Sequence, residues 1–321
     1  LMAQEASVQP IHVWVEVPSC VPSAPGLERG AATLGPQEVA EALTWPNVIG
    51  LGEVMNYPGV AANDDKMHAE MAEARQAGKV IGGHYPSPDL GLAFHAYAAG
   101  GAEDDHEGTS LDDAMARARQ GMKVMLRQGS AWHDVAEQAR AVLERGLDPR
   151  HFLLVTDDSH SETLVAEGHV DRVVRVAMQA GLPAMTALQM ATINTAEHFG
   201  VARDVGMIAP GRWADFLLVS DLETLTIDEV YARGEVVAAA GEVRAARPAF
   251  TFPPGVRKTM HLPRAVRAED FRVPYAGAGA ARVHVIGVIE NQAPTRHLLL
   301  EVEAEDGELR ASLDEDRAKV A

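Results

Sequence analysis

Residues 48–84 read VIGLGEVMNYPGVAANDDKMHAEMAEARQAGKVIGGH. A short apolar run at 48–51 predicts a buried strand that stops at Gly52-Glu53. Residues 65–77 are dominated by Ala, Met, Glu and Lys, which favour a helix. Val80-Ile81 then predicts a second strand, ending at Gly82-Gly83-His84. Strands separated by a single helix are the building unit of a parallel sheet with helical crossovers.

The same unit recurs on both sides. Upstream, 11–17 is apolar and β-branched and is stopped by Pro18, and 36–43 predicts a helix. Downstream, a helix at 90–99 is followed by Gly100-Gly101 and then Asp104-Asp105-His106. Ser110 and Asp113 have capping-box spacing ahead of a helix running to 118. Strands at 123–126 and 152–155 flank a helix at 134–145, and the second strand leads into Thr156-Asp157-Asp158. Helices at 164–180 and 186–199 complete the pattern, giving six strand–helix units before residue 200. An eightfold barrel has eight such units over about 250 residues. The expected fold class is therefore α/β: a (β/α)8 TIM barrel lacking its first two strand–helix units, over residues 1–200. Beyond it, a strand at 215–219 and a hairpin at 230–243 around Gly234 and Gly241 suggest a small β-sandwich segment over 201–245. Residues 246–275 are Pro-rich, as a linker would be, and 283–289 and 298–302 alternate like strands. The third expected domain is 246–321, a linker followed by strands.

Composition narrows the function classes. Of the 321 residues 47% are hydrophobic, enough for a sizeable core. The formal charge is −18, which disfavours nucleic-acid phosphates and anionic membranes as partners. No apolar run approaches a membrane span, and no secretory leader is visible. The first residue is Leu1, so a natural start is not expected there. A single cysteine, Cys20, rules out an internal disulfide and fits a reducing compartment, so a cytoplasmic location is expected.

Four ionisable residues stand immediately after four of the short strands: Glu53, His84, His106 and Asp157. Residues at the C-terminal ends of barrel strands converge on one face, where active sites lie. All four are ligand types for a divalent metal. From residue types alone, a metal site and a set of unrelated structural side chains both stand. The remaining histidines have plain readings. His68 lies in a polar helix, His151, His261 and His297 lie next to or near arginines, and His198 ends a helix, where a cation suits the dipole. His95 could face the core or the site, and His160, after the Asp pair, could reach a substrate. Cys20 could line a pocket or be a buried inert thiol.

These positions sit within longer motifs. The run from Gly50 through Gly52-Glu53-Val54-Met55-Asn56-Tyr57-Pro58-Gly59 to Val60 resembles the signature around the metal-binding glutamate of the adenine deaminase family, within the amidohydrolase superfamily. Ser19-Cys20-Val21-Pro22, Asp105-His106-Glu107, Arg127-Gln128-Gly129-Ser130-Ala131 and Thr156-Asp157-Asp158-Ser159-His160 are similar to its motifs at strands three, six, seven and eight. The resemblance is specific from 19 to about 219 and thinner beyond 245, where it implies that 246–321 is part of a C-terminal α+β domain.

The resemblance implies metal ligands Glu53, His84, His106 and Asp157, at strands four, five, six and eight. It also implies a His-x-His pair at the end of strand one, which occurs nowhere in this sequence; truncation is the simplest account. The implied activity is hydrolytic deamination of adenine to hypoxanthine and ammonia by a metal-bound hydroxide. The metal would be manganese or iron, with zinc chemistry similar in outline, and binuclear in the whole protein. Asp157 is the candidate proton shuttle, with Glu53 holding metal and hydroxide. Asp158, His160 and Arg127 are candidates for orienting the purine, with Cys20 lining the pocket; an ion pair in the barrel mouth is the alternative for Arg127. The implied partner is a small purine base, and a homo-oligomer is expected. An open barrel exposes two sheet edges, so the isolated chain is expected to be unstable or inactive. Two departures bear on specificity: Gly82-Gly83-His84-Tyr85-Pro86 stands where the family has Asp-Gly-His-Ala-Pro, and Gln128 stands for a usual glutamate. They leave open an amidohydrolase acting on N6-methyladenine, another aminated heterocycle or a cyclic amide. A non-enzymatic metal- or purine-binding protein and a purely structural subunit stay open as well.

Overall fold

The structure, a computed structural model, describes residues 1–23, 26, 30, 32–246, 248–257, 259–292 and 294–319. Positions 247 and 258 of the expected linker and the end of the tail at 320–321 lie outside the described residues. The chain divides into two compact units, Leu1–Thr251 and Phe252–Ala321.

Among the described residues, six short strands organise most of the first unit: β1 (Val15–Val17), β2 (Val48–Val54), β3 (Val80–Gly83), β4 (Asp104–Asp105), β5 (Lys123–Arg127) and β6 (Phe152–Val155). They pair in parallel as β1-β2-β3 and β4-β5-β6. The Glu103 amide donates to the Ile81 carbonyl at 2.8 Å, bringing the two sheets together at β3 and β4. Among the described residues eleven α-helices accompany them: α1 (Met2–Ser7), α2 (Pro36–Leu43), α3 (Tyr57–Ala61), α4 (Asp65–Gln76), α5 (Leu92–Gly100), α6 (Leu111–Arg119), α7 (Val135–Leu143), α8 (Ser161–Ala166), α9 (Val170–Gln179), α10 (Ala184–Ala191) and α11 (Ile193–His198). The α/β class and the parallel pairing are those read from the sequence.

Local chemistry sets several boundaries. The Ser110–Asp113 capping box forms: the Asp113 amide donates to Ser110 Oγ at 3.1 Å, and Asp113 Oδ2 accepts from the Ser110 amide at 3.0 Å. Two expected helices are each split. The 164–180 helix breaks at Gly168, whose φ of +110 no helix accommodates, and the His169 amide turns to Asp171 Oδ1 at 2.7 Å. The 186–199 helix breaks at Thr192, at φ −128 and ψ −88. The 230–243 hairpin is part of a four-stranded antiparallel meander, β7 (Phe216–Asp221), β8 (Thr226–Ala232), β9 (Glu235–Ala239) and β10 (Glu242–Val243). Its two-residue turns, Arg233-Gly234 and Ala240-Gly241, have all four φ angles positive, the conformation that matches the twist of paired strands.

The apolar core of the first unit falls into two clusters. One gathers β2, β3, α2, α4 and α5 through residues such as Val39, Leu51, Met71, Ile81, Phe94 and Tyr97. The other gathers β5, β6, α7, α9 and α10 through Leu126, Val135, Phe152, Val173 and Met190. Each fully buried side chain of this kind contributes about 1.5–3 kcal/mol.

One buried cation braces the strand ends. Arg117, 1% exposed, donates Nε to Asp105 Oδ1 at 2.9 Å and Nη2 to the Tyr85 carbonyl at 2.9 Å, over the Phe94 ring. Asp105 is itself fully buried. Arg117→Ala is expected to cost about 3–5 kcal/mol, because it leaves an uncompensated buried carboxylate. The denaturant midpoint of the whole protein checks this, and a loss below about 1 kcal/mol would contradict the buried-pair account.

In the second unit the strands are β11 (Val273–Pro274), β12 (Ala280–Gly287), β13 (Arg296–Glu305) and β14 (Glu308–Leu309), in the antiparallel order β11-β14-β13-β12. Its described residues contain two 3₁₀ turns and no α-helix. Across the described residues, no helix is long and apolar enough to cross a membrane.

Candidate metal centre

The site lies where β2, β3, β4 and β6 end. Glu53 is the penultimate residue of β2, His84 follows β3, His106 and Glu107 follow β4, and Asp157 lies two residues past β6. Gly83, the last residue of β3, has to be glycine: an added Cβ would lie 1.9 Å from the Asp104 carbonyl oxygen. Asp157 adopts φ +60, a left-handed conformation that aspartate tolerates better than most residues.

The side chains converge. His84 Nδ1 lies 2.8 Å from Glu53 Oε2 and 3.5 Å from Glu107 Oε1. His106 Nε2 lies 3.3 Å from Glu107 Oε1 and 3.7 Å from Glu53 Oε1. The two imidazoles meet edge to face, 5.3 Å between centroids. Two groups share His106: Glu53, His84 and His106, and His106, Glu107 and Asp157, each with one ligand atom per residue within 4.8 Å of the others. A cavity of about 190 Å³ reaches this cluster, lined in part by Glu16, Glu53, Asp104, His106, Asp157 and Phe199.

Charge is concentrated here. Burial works to lower the His106 pKa, but its bond to Glu107 and the charges of Glu53, Asp105 and Glu107 outweigh it and raise the pKa to about 9. Burial would raise the Glu107 carboxyl, yet the His106 bond and the Arg127 charge lower it to about 2. Glu53, opposed by burial, is also held below its ordinary value by the adjacent His84 imidazole and by the charge of His106. Two imidazoles and three carboxylates are a donor set suited to a divalent cation. His84 Nδ1 is buried and sits at ion-pair distance from Glu53 without the alignment of a hydrogen bond. A nitrogen held in that way fits a cation ligand.

All four ligand-type residues read from the sequence, Glu53, His84, His106 and Asp157, are brought together. Arg127 is 1% exposed and fully engaged on its carboxylate side: Nη1 donates to Glu107 Oε1 at 2.7 Å and to Asp157 Oδ2 at 2.8 Å, and Nε to Asp134 Oδ2 at 2.8 Å. Of its two readings, the ion pair in the mouth of the strands matches this geometry. Asp158 and His160 are exposed on the loop after Asp157, where the Asp158 amide donates to Asp157 Oδ1 and the His160 amide to Ser130 Oγ. Cys20 is 6% exposed, packs in the first core cluster with Sγ 3.3 Å from Ser19 Oγ, and is not among the residues lining the cavity. The buried-thiol reading therefore matches its position. Its neighbour Ser19 donates to the Glu53 carbonyl and so anchors β2 beside the site.

Three residues at the candidate site were not read from the sequence as site residues. Glu107 belongs to the donor set. Glu16, on β1, places a buried carboxyl on the cavity wall. Asp104 pairs with His198 Nε2 at 2.6 Å, both nearly fully buried; His198 ends α11, as read from the sequence, and is a core partner as well.

The amidohydrolase family profile matches residues 1–237. The chain is 59% identical to an adenine deaminase of Mesorhizobium japonicum over 100% of its length and 53% of that protein's. It is 56% identical to adenine deaminase 3 of Rhizobium meliloti, over 100% of this chain and 54% of the relative. An adenine deaminase of Moorella thermoacetica is 44% identical over the same shares. The chain spans about half the length of the curated relatives it matches. Among solved structures, a β-aspartyl dipeptidase of Fervidobacterium islandicum AW-1 superposes with a TM-score of 0.52 at 20% identity, over 65% of this chain and 61% of that one. The same enzyme with a β-Asp-Leu dipeptide gives 0.50 at 17%, over 65% and 62%. At these identities the likeness speaks for the fold alone.

Proposed function

The chain belongs to the amidohydrolase family, and from that premise we propose that the whole protein hydrolyses adenine to hypoxanthine and ammonia. One observation carries this reading: two imidazoles and three carboxylates meet at the ends of adjacent parallel strands, in a chain 59% identical to an adenine deaminase. Replacing the amino group at C6 of adenine requires an oxygen nucleophile at neutral pH and a proton for departing ammonia. A divalent cation, manganese or iron in this reading, supplies Lewis acidity that brings the pKa of a water to about 7.

Glu53, His84, His106 and Asp157 would hold that cation, joined by Glu107. Asp157 takes the proton released by the attacking water and passes it to the purine or the departing amine; a new C6–O bond replaces the C6–N bond. Arg127 keeps the Asp157 carboxylate in place through its Nη1–Oδ2 bond. Asp158 and His160, exposed on the adjoining loop, orient the base. The finer architecture goes with this reading: six parallel strands in 1–200 as strands three to eight of an eightfold barrel, then a small β segment to 245, then a linker and part of a further domain. The family departure at Tyr85 does not favour a different substrate. Tyr85 is fully buried, with its hydroxyl donating to the Asp89 carbonyl.

The test is ammonia release from adenine by the whole protein reconstituted with manganese or iron, with methylamine release from N6-methyladenine alongside. Adenine turnover that chelation abolishes is the expected result. A folded, metal-loaded protein that leaves adenine untouched would refute it.

A further inference from the structure

The ladder between β2 and β3 is interrupted where the candidate ligands sit. Gly50 and Leu51 pair with Val80 and Ile81, then the register shifts before Val54 meets Gly83. Glu53 and His84 flank that irregular end. Three successive amides beyond it donate to side-chain oxygens: Gly83 to Asp104 Oδ1 at 2.8 Å, His84 to the Tyr97 hydroxyl at 2.7 Å, and Tyr85 to Asp105 Oδ2 at 2.6 Å. The middle acceptor has a second role. The Tyr97 hydroxyl donates onward to the Val54 carbonyl at 3.0 Å. A single oxygen thus spans the gap, joining the residue after Glu53 to the backbone of His84.

We propose that Tyr97 is a positioning residue for the metal centre: its hydroxyl clamps the ends of β2 and β3 and so fixes the separation of Glu53 and His84. Tyr97 lies on α5, fully buried in the first core cluster, and touches neither ligand side chain by hydrogen bond. The clamp is tight, because a Cβ on Gly83 would lie 3.3 Å from the hydroxyl. Groups that orient metal ligands without touching the ion commonly change metal affinity roughly 10- to 100-fold when removed.

This rests on reading the cluster as a divalent-cation site. The variant is Tyr97→Phe in the whole protein, which removes one oxygen and keeps the ring. The matched control is Val173→Ala, a cavity in the second core cluster. Manganese affinity by titration is expected to weaken roughly 10- to 100-fold in Y97F, and the visible spectrum of its cobalt-loaded form to change. The control, adjusted to equal loss of thermal stability, is expected to keep both. Unchanged affinity in Y97F, or the same loss in the control, overturns the clamp. Should Y97F not fold, hydrogen exchange on the metal-free wild-type protein decides: strong protection across 83–85 is expected, and exchange at loop rates overturns the proposal. A wild-type protein that binds no divalent cation defeats the site reading and the clamp together. Metal binding without adenine turnover defeats only the substrate reading.

Discussion

Asp157→Asn in the whole protein is expected to lower adenine turnover by roughly 10²- to 10⁴-fold at saturating metal. The substitution keeps the size of the side chain and an oxygen able to accept from the Asp158 amide, as Oδ1 does at 2.6 Å. It replaces the oxygen facing Arg127 with an amide that can only donate. Arg127 Nη1 sits 2.8 Å from Asp157 Oδ2, so two donors would meet there and the side chain must turn away. Arg127 itself stays anchored by Glu107 at 2.7 Å and Asp134 at 2.8 Å, so the strand end survives. The stability cost is expected to be about 1 kcal/mol, that of a lost hydrogen bond. What disappears is a carboxylate able to take a proton from water and return it to the purine. Metal content and turnover are to be measured on the same sample. A variant that keeps its metal and loses its rate assigns Asp157 the proton, and a variant at the wild-type rate removes it from the mechanism.

Much of the scaffold was legible because the signals were local. Strands β2, β3, β5 and β6 are each built on a short apolar run, and such a run needs only its own few residues to be recognised. The breaks at Gly168 and Thr192 were hidden by apolar positions at helical spacing, from Leu164 to Ala177, that continue straight across the first break. The candidate ligand cluster was legible in four members because they share one place, at or within two residues of the end of a strand. Glu107 escaped for a physical reason. The strand before it, β4, is only two residues long, too short for alternation to assign a face to His106 or Glu107, and both turn inward. A usable signal existed: Arg127, in the apolar run KVMLR, is a buried cation that requires carboxylates somewhere. His198 and Asp104 pair across 94 residues of sequence, and nothing local to either one announces the other. Glu16 was passed over because its neighbours are apolar, although an acid inside a buried strand is the kind of local conflict that marks a special site.

Glu16 carries the other large effect. Its Oε1 is buried with no hydrogen-bond partner, and the surfaces it faces are glycines: a Cβ on Gly50 would lie 2.4 Å from Oε1, and one on Gly52 2.5 Å from Oε2. Those glycines make room for the carboxyl but give it no side-chain donor. Burial, reinforced by the charges of Asp104 and Glu53 and opposed by His106, pushes its pKa up to about 8. The folded chain therefore keeps the proton to about pH 8, whereas the unfolded chain releases it near the ordinary value of 4.5. Below pH 4.5 both states are protonated and Glu16 imposes no charge penalty. As pH rises from 4.5 to 8 the unfolded state gains ionisation that the folded state cannot match, and stability falls; above 8 the penalty is complete. Glu16→Gln removes the titration. It is expected to be more stable than wild type by about 2–4 kcal/mol at pH 8, with the advantage shrinking steadily toward pH 4.5. The buried amide introduces its own unsatisfied donors, but that cost is the same at every pH, so the slope, not the offset, carries the test. Urea denaturation of the metal-free chain at about pH 4.5, 6 and 8 measures it. A wild-type minus variant difference that does not change with pH would mean that Glu16 finds a partner in solution, or that water reaches it along the cavity wall.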